Sequence, residues 1–131
     1  SPCIYYGDEV GMEGNQGMGM EFHRRCMIWD ENKQDKDMLK FMKQIIKIRK
    51  ENKELNLLDN NWIRANKDEN IIIYSKENIF IIMNNSDNEE KIYLPKEIKN
   101  NKVNDLFEEK IELLKEDIEL KPFAFKVYKK L

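Results

Sequence analysis

The chain has 131 residues, 40% hydrophobic and 37% charged, with 23 Lys and Arg against 25 Asp and Glu for a formal net charge of -2. That length holds one modest core, or a small domain with an appendage, and is too short for a complete barrel enzyme. The balanced charge gives no reason to expect a nucleic-acid partner, and no apolar stretch, the longest lying near 79–83, approaches the roughly 20 residues that span a bilayer, so a soluble chain with no membrane partner is expected.

The first residues, Ser1 and Pro2, lack the basic flank and cleavage site of a signal peptide, so compartment is not readable from this end. Residues 3–6 (CIYY) form a continuous apolar and aromatic run that predicts a strand buried on both faces, with Tyr5 and Tyr6 pointing opposite ways. All five glycines, at 7, 11, 14, 17 and 19, follow it directly, and no glycine occurs after Gly19. Such density predicts a long loop over 7–25 rather than regular structure. Next, Asp35 or Asp37 can cap a helix whose apolar positions Met38, Phe41, Met42, Ile45 and Ile48 recur at helical spacing, ending near Asn52.

From Trp62 onward the period becomes strand-like. Strands are predicted at 62–65, 71–75, 79–84, 91–94, 103–107, 111–113, 117–120 and 124–129. In the last of these Phe123, Phe125 and Val127 should point one way and Ala124, Lys126 and Tyr128 the other. The fold class is therefore mainly β with one long helix, the strands forming an antiparallel sandwich or barrel. Cys3 and Cys26 are the only cysteines and are expected as buried thiols. A zinc site built on them and His23 would lack a fourth ligand and a recognisable spacing, so no metal or other cofactor is expected. The chain contains no Thr and only Ser1, Ser75 and Ser86, none in a nucleophile-elbow context, which excludes serine-hydrolase chemistry.

"SPCIYYGDEVGM", then "RRCMIWDENKQD", then "FMKQIIKIRKEN" together resemble the C-terminal part of the α-amylase family, glycoside hydrolase family 13, in its neopullulanase and cyclomaltodextrinase branch. The resemblance implies that the opening stretch is the last strand of a (β/α)8 barrel with its loop at the catalytic end. It implies that the helix is the last barrel helix and that the later strands are the antiparallel β-sandwich called domain C. The division expected is 1–58 for the barrel remnant and 59–131 for the sandwich. A helix cut from its barrel should dock on the sandwich, pair with a second copy, or expose its apolar face.

In such barrels the site lies at the C-terminal ends of the strands, which would put Gly7, Asp8 and Glu9 at the cleft rim. The resemblance also implies an Asp nucleophile, a Glu acid/base and a transition-state-stabilising Asp, all on earlier strands, so no catalytic residue is expected in this chain and it should be inactive alone. Asp8 and Glu9 are adjacent, and neighbours on a strand point apart, which suits them poorly to retaining chemistry across roughly 5 Å. Glu9 is expected instead to fix loop geometry by accepting backbone or arginine hydrogen bonds.

Arg24 matches the arginine of a family Asp-x-x-x-Arg pattern that binds a glucose unit, while the aspartate position is occupied by Met20, with Glu21 next to it. Arg24 and Glu21 are thus the candidate substrate contacts, although Arg24 or Arg25 could equally clamp Glu9 or Asp30. Trp29 and Met27 are expected to pack the loop onto the barrel, and His23 to be a loop residue. By resemblance, the partner is an α-glucan oligosaccharide bound by the intact enzyme, a homodimer is possible, and the compartment is the cytoplasm. The alternative is a non-catalytic accessory or carbohydrate-binding sandwich, for which Trp62, Tyr74 and Tyr93 are the candidate aromatics, expected rather in the core or at its edge.

Overall fold

The computed structural model describes residues 2–14, 17, 19–66 and 69–131. They form two compact units, Ser1–Lys50 and Glu51–Leu131.

In the first unit, short 3-10 turns at Asp8–Val10, Met20–His23 and Glu31–Lys33 precede the helix α1, Lys36–Glu51. Asp35 provides the cap: its Oδ1 accepts from the Met38 backbone N–H at 2.9 Å, satisfying one of the orphan donors of the first turn. Met38, Phe41, Ile45 and Ile46 of α1 are each more than a third exposed (36% to 38%). The strand expected at 3–6 does not form. A strand is held by a ladder partner, and among the described residues this unit offers none. Instead the chain turns: the Asp8 N–H donates to the Tyr5 carbonyl at 3.1 Å, and the Tyr5 N–H donates to Asp8 Oδ2 at 2.9 Å.

The second unit contains β1 (Asn61–Arg64), β2 (Ile71–Lys76), β3 (Ile79–Asn84), β4 (Glu90–Tyr93), β5 (Lys102–Asp105), β6 (Lys110–Leu113), β7 (Asp117–Leu120) and β8 (Phe125–Lys130). Each falls within two residues of its predicted position at either end. Six strands make one sheet in the order β1-β2-β3-β8-β5-β6, and β4 and β7 make a second, with every pairing antiparallel. This is the antiparallel sandwich expected from the sequence, in which alternate residues of the large sheet face two apolar clusters. Ile73, Phe80, Ile82, Val103 and Tyr128 pack against Ile92 and Leu120 of the small sheet. On the opposite face Ile79, Ile81 and Val127 pack with Leu55, Leu106, Phe107 and Phe125, where Phe107 and Phe125 meet edge to face at 4.8 Å. Apolar contact on both faces explains the unbroken run Ile79–Met83, where one-sided burial would have left alternation.

Three expectations are corrected here. Phe123 does not share the face of Phe125 and Val127. It precedes β8 in a turn closed by the Ala124 N–H on the Lys121 carbonyl at 3.2 Å, with left-handed backbone (φ 53) and 68% exposure. Trp62 and Tyr93 lie on the surface, 58% and 70% exposed, because β1 is an edge strand and β4 buries Ile92 on its other face. Only Tyr74 reaches a core cluster, with the Trp62 ring 5.1 Å away. Cys3 and Cys26 are both exposed, since residues 2–6 are not covered by paired strands.

Two buried polar groups join distant segments. Asn84 shares its amide protons among the carbonyls of Asn88, Leu120 and Lys121 at 2.8, 3.2 and 3.0 Å, tying the end of β3 to the end of β7. Asp105, fully buried, accepts from the backbone N–H groups of Phe107 and Glu108 at 2.9 and 3.1 Å and from Lys126 Nζ at 2.8 Å. Lys126 also pairs with Glu108. The nearby Tyr128 hydroxyl is pushed far above its usual range, by burial first and by the carboxylates of Glu112 and Asp105 next. Asp105→Ala would strand two backbone donors and a largely covered ammonium. It should lower the unfolding free energy by about 3 kcal/mol, read as a reduced midpoint in urea with unchanged slope.

Candidate functional site

A concavity lies in the first unit. It encloses about 370 Å³, and its walls include Tyr5, Tyr6, Asp8, His23, Arg24 and Arg25. Tyr5, Tyr6 and Asp8, beside the turn at Gly7, form one side of it, and residues 12–14 and 23–25 the rest.

The turn depends on backbone geometry open to glycine. Gly7 has φ 97, and a Cβ there would stand 2.6 Å from the Met12 sulfur. Its N–H donates to Glu9 Oε2 at 2.9 Å. Glu9 is therefore spent on the backbone, and Asp8 on the Tyr5 N–H. The two carboxylates serve different backbone donors inside one 3-10 turn and do not converge on a common point. Of the expected rim residues, Asp8 lines the cleft, whereas Gly7 and Glu9 shape it from outside its lining.

Tyr5 and Tyr6 do not diverge as a strand would require. Because residues 5–8 turn, both rings line the cleft, 4.4 Å apart between centroids. The Tyr6 hydroxyl donates to the Arg25 carbonyl at 3.0 Å, and the Arg25 guanidinium donates to the Glu13 carbonyl. Side-chain hydrogen bonding with Tyr5 is the first cause that holds the Tyr6 phenol above its usual range, and the Arg24 cation pulls the other way. His23 is accommodated by Gly14, where a Cβ would approach its Nδ1 to 2.6 Å.

Arg24 reaches this cleft, and among the described residues it forms no ion pair with Glu9 or Asp30; Asp30 pairs with Lys33 at 3.6 Å. Glu21 is exposed and outside the lining. It meets Arg24 only through the backbone, the Arg24 N–H donating to the Glu21 carbonyl at 3.3 Å. The cleft thus brings together Arg24 and Asp8 of the residues singled out in the sequence and leaves Glu21 aside. Trp29, expected to pack inward, is 81% exposed because this unit presents no barrel surface to receive it. Among the described residues no three metal-capable side chains converge, and no helix is long and apolar enough to cross a membrane. The sequence reading missed the paired tyrosines as cleft walls and Arg25 as a tie. The signal available was the turn-forming Gly7 directly after Tyr6, which makes a straight strand end there.

In comparisons with known proteins, no family model matches the chain. Over 99 residues it is 38% identical to a cyclomaltodextrinase of Geobacillus thermopakistaniensis, covering 72% of this chain and 16% of that protein. It is 43% identical over 86 residues to an intracellular maltogenic amylase of Bacillus subtilis, covering 56% of this chain and 14% of that protein. A solved cyclomaltodextrinase structure superposes on 98% of this chain and 23% of its own, at 29% identity and a TM-score of 0.79. The chain therefore spans about a sixth of the length of the curated relatives it matches.

Two outcomes check the geometry of this unit. Gly7→Ala should cost about 1 to 2 kcal/mol in the turn, seen as faster proteolysis within residues 2–25 while the strands of 61–130 stay resistant. Cys3 and Cys26 should both react with a thiol reagent without denaturant.

Proposed function

Because the chain belongs to the α-amylase family of glycoside hydrolases, as a C-terminal part of an enzyme of that family, we propose that it completes a retaining enzyme that cleaves α-1,4 linkages of maltodextrins, cyclodextrins or pullulan, with α-1,6 linkages a further target. Residues 1–58 close the catalytic barrel, and 59–131 form the sandwich that supports it. The observation that carries this reading is Arg24, in a cleft beside Tyr5 and Tyr6 and without a carboxylate partner among the described residues. A planar guanidinium fork whose N–H groups are unspent suits the vicinal hydroxyls of a sugar. Glu21, on the same loop, is the second contact, reaching the sugar through a small loop movement.

The mechanism proposed is double displacement. An Asp attacks the anomeric carbon while a Glu protonates the leaving oxygen, and water then resolves the glycosyl-enzyme with that Glu as base. A second Asp steadies the oxocarbenium-like charge. By the family pattern these carboxylates stand on barrel strands outside residues 1–131. This chain's part is to bind and orient: Arg24 holds a glucose unit beside the scissile bond, and the turn at Gly7 sets the cleft rim. No cofactor takes part. The name of the Bacillus subtilis relative supports a cytoplasmic setting, and a homodimer is the proposed assembly. The sandwich alone makes a poor glycan module, because, of its exposed aromatics, Trp62 and Tyr93 sit on different sheets and Phe123 in a turn outside both.

The test is hydrolysis of β-cyclodextrin, pullulan and maltotriose by residues 1–131, followed by reducing ends. The expected result is no turnover. Turnover abolished by Asp8→Asn or Glu9→Gln would place catalysis in this chain and overturn the reading.

A further inference from the structure

We propose that Tyr6 and Arg25 are positioning residues that hold Arg24 in the cleft in place of the carboxylate this chain lacks at Met20. The inference rests on the reading of Arg24 as a sugar contact. Its ground is a chain of contacts in the first unit. Arg24 directly follows the short 3-10 turn Met20–His23 and lies in no helix or strand. An arginine on such a segment needs either a side-chain partner or a fixed backbone to keep its guanidinium in one place. The side-chain route is closed. Met20 has no charge and is 62% exposed, and the Glu21 carboxylate lies outside the cleft lining.

The backbone route is built. The Tyr6 hydroxyl donates to the carbonyl of Arg25 at 3.0 Å, joining the residue after Arg24 to segment 5–8. The Arg25 side chain then reaches back to the Glu13 carbonyl, joining the two ends of the loop. On its other side, Arg24 donates its own N–H to the Glu21 carbonyl at 3.3 Å. Arg24 is thereby held through Arg25 and through its own N–H, and among the described residues no carboxylate pairs with its guanidinium, which leaves it for ligand. Segment 5–8 is itself fixed by the Asp8 and Glu9 hydrogen bonds, so the anchor to which Tyr6 ties the loop is rigid.

The experiment is a double-mutant cycle in the complete enzyme with maltoheptaose as substrate. Tyr6→Phe should raise KM roughly three- to ten-fold, the effect of one lost hydrogen bond, with a much smaller change in kcat. It should raise KM no further once Arg24→Ala is present, because a positioning residue has nothing left to position. Met20→Asp, which gives Arg24 a side-chain partner, should restore KM in the Tyr6→Phe background; a loss caused by misfolding would not be rescued this way. If Tyr6→Phe leaves KM unchanged, raises it equally with and without Arg24, or is not rescued by Met20→Asp, the positioning role is overturned while the sugar-contact reading stands. If Arg24→Ala leaves KM unchanged, that earlier reading fails, and the positioning role fails with it.

Discussion

A strand buried on both faces must be apolar at nearly every position, and in the second unit β3 meets that constraint. In β3 even the side chains of Ile79, Phe80, Ile81 and Ile82 alternate between two clusters that are both closed to water. Each fully buried aliphatic of this size contributes about 1.5 to 3 kcal/mol relative to exposure. Such a strand has no solvated face on which charge could sit, so the charged side chains of this sheet stand on other strands, among them Lys126, Lys129 and Lys130 of β8. Two of the buried polar groups, Asn84 and Asp105, find their partners at strand ends, where the ladder no longer supplies hydrogen bonds. They close the sandwich at its corners.

The first unit obeys the opposite logic. It has no sheet among the described residues, and its order comes from backbone hydrogen bonds to nearby side chains: Asp8 to Tyr5, Glu9 to Gly7, Asp35 to Met38. Short-range contacts of this kind can shape a turn and hold a loop against it. They cannot bury much apolar area, which is why Trp29 and part of α1 remain in contact with solvent. A cleft built this way is a polar surface feature, and its specificity rests on which hydrogen-bonding groups are left unspent.

Much of the sandwich was legible because period-2 patterning and turn residues are local signals. The strands β1 to β8 and α1 all stand within two residues of where periodicity put them, and Asp35 caps as its side chain allows. What local reading could not supply was context. CIYY has the composition of a buried strand, yet a strand is a property of pairs, and no partner is present in its unit. The same reason misplaced Tyr5, Tyr6, Trp29 and both cysteines. Phe123 was assigned by extending an alternation one step past a proline, where the backbone had already turned. At the cleft, Arg24 was found from its motif, whereas the service of Arg25 and Tyr6 to the loop depends on a fold-back that spacing alone does not reveal.

The sandwich makes its turns without a single glycine. Glu77, Asn100, Glu109 and Phe123 take the left-handed conformation instead, and a side chain in that region costs about 1 to 2 kcal/mol. Of the four, only asparagine is a residue that tolerates it well. Three corners of the unit thus carry a standing conformational load that the core offsets. A protein engineer would find there a reserve of thermal tolerance that can be released at the surface, leaving both apolar clusters and every buried hydrogen bond as they are.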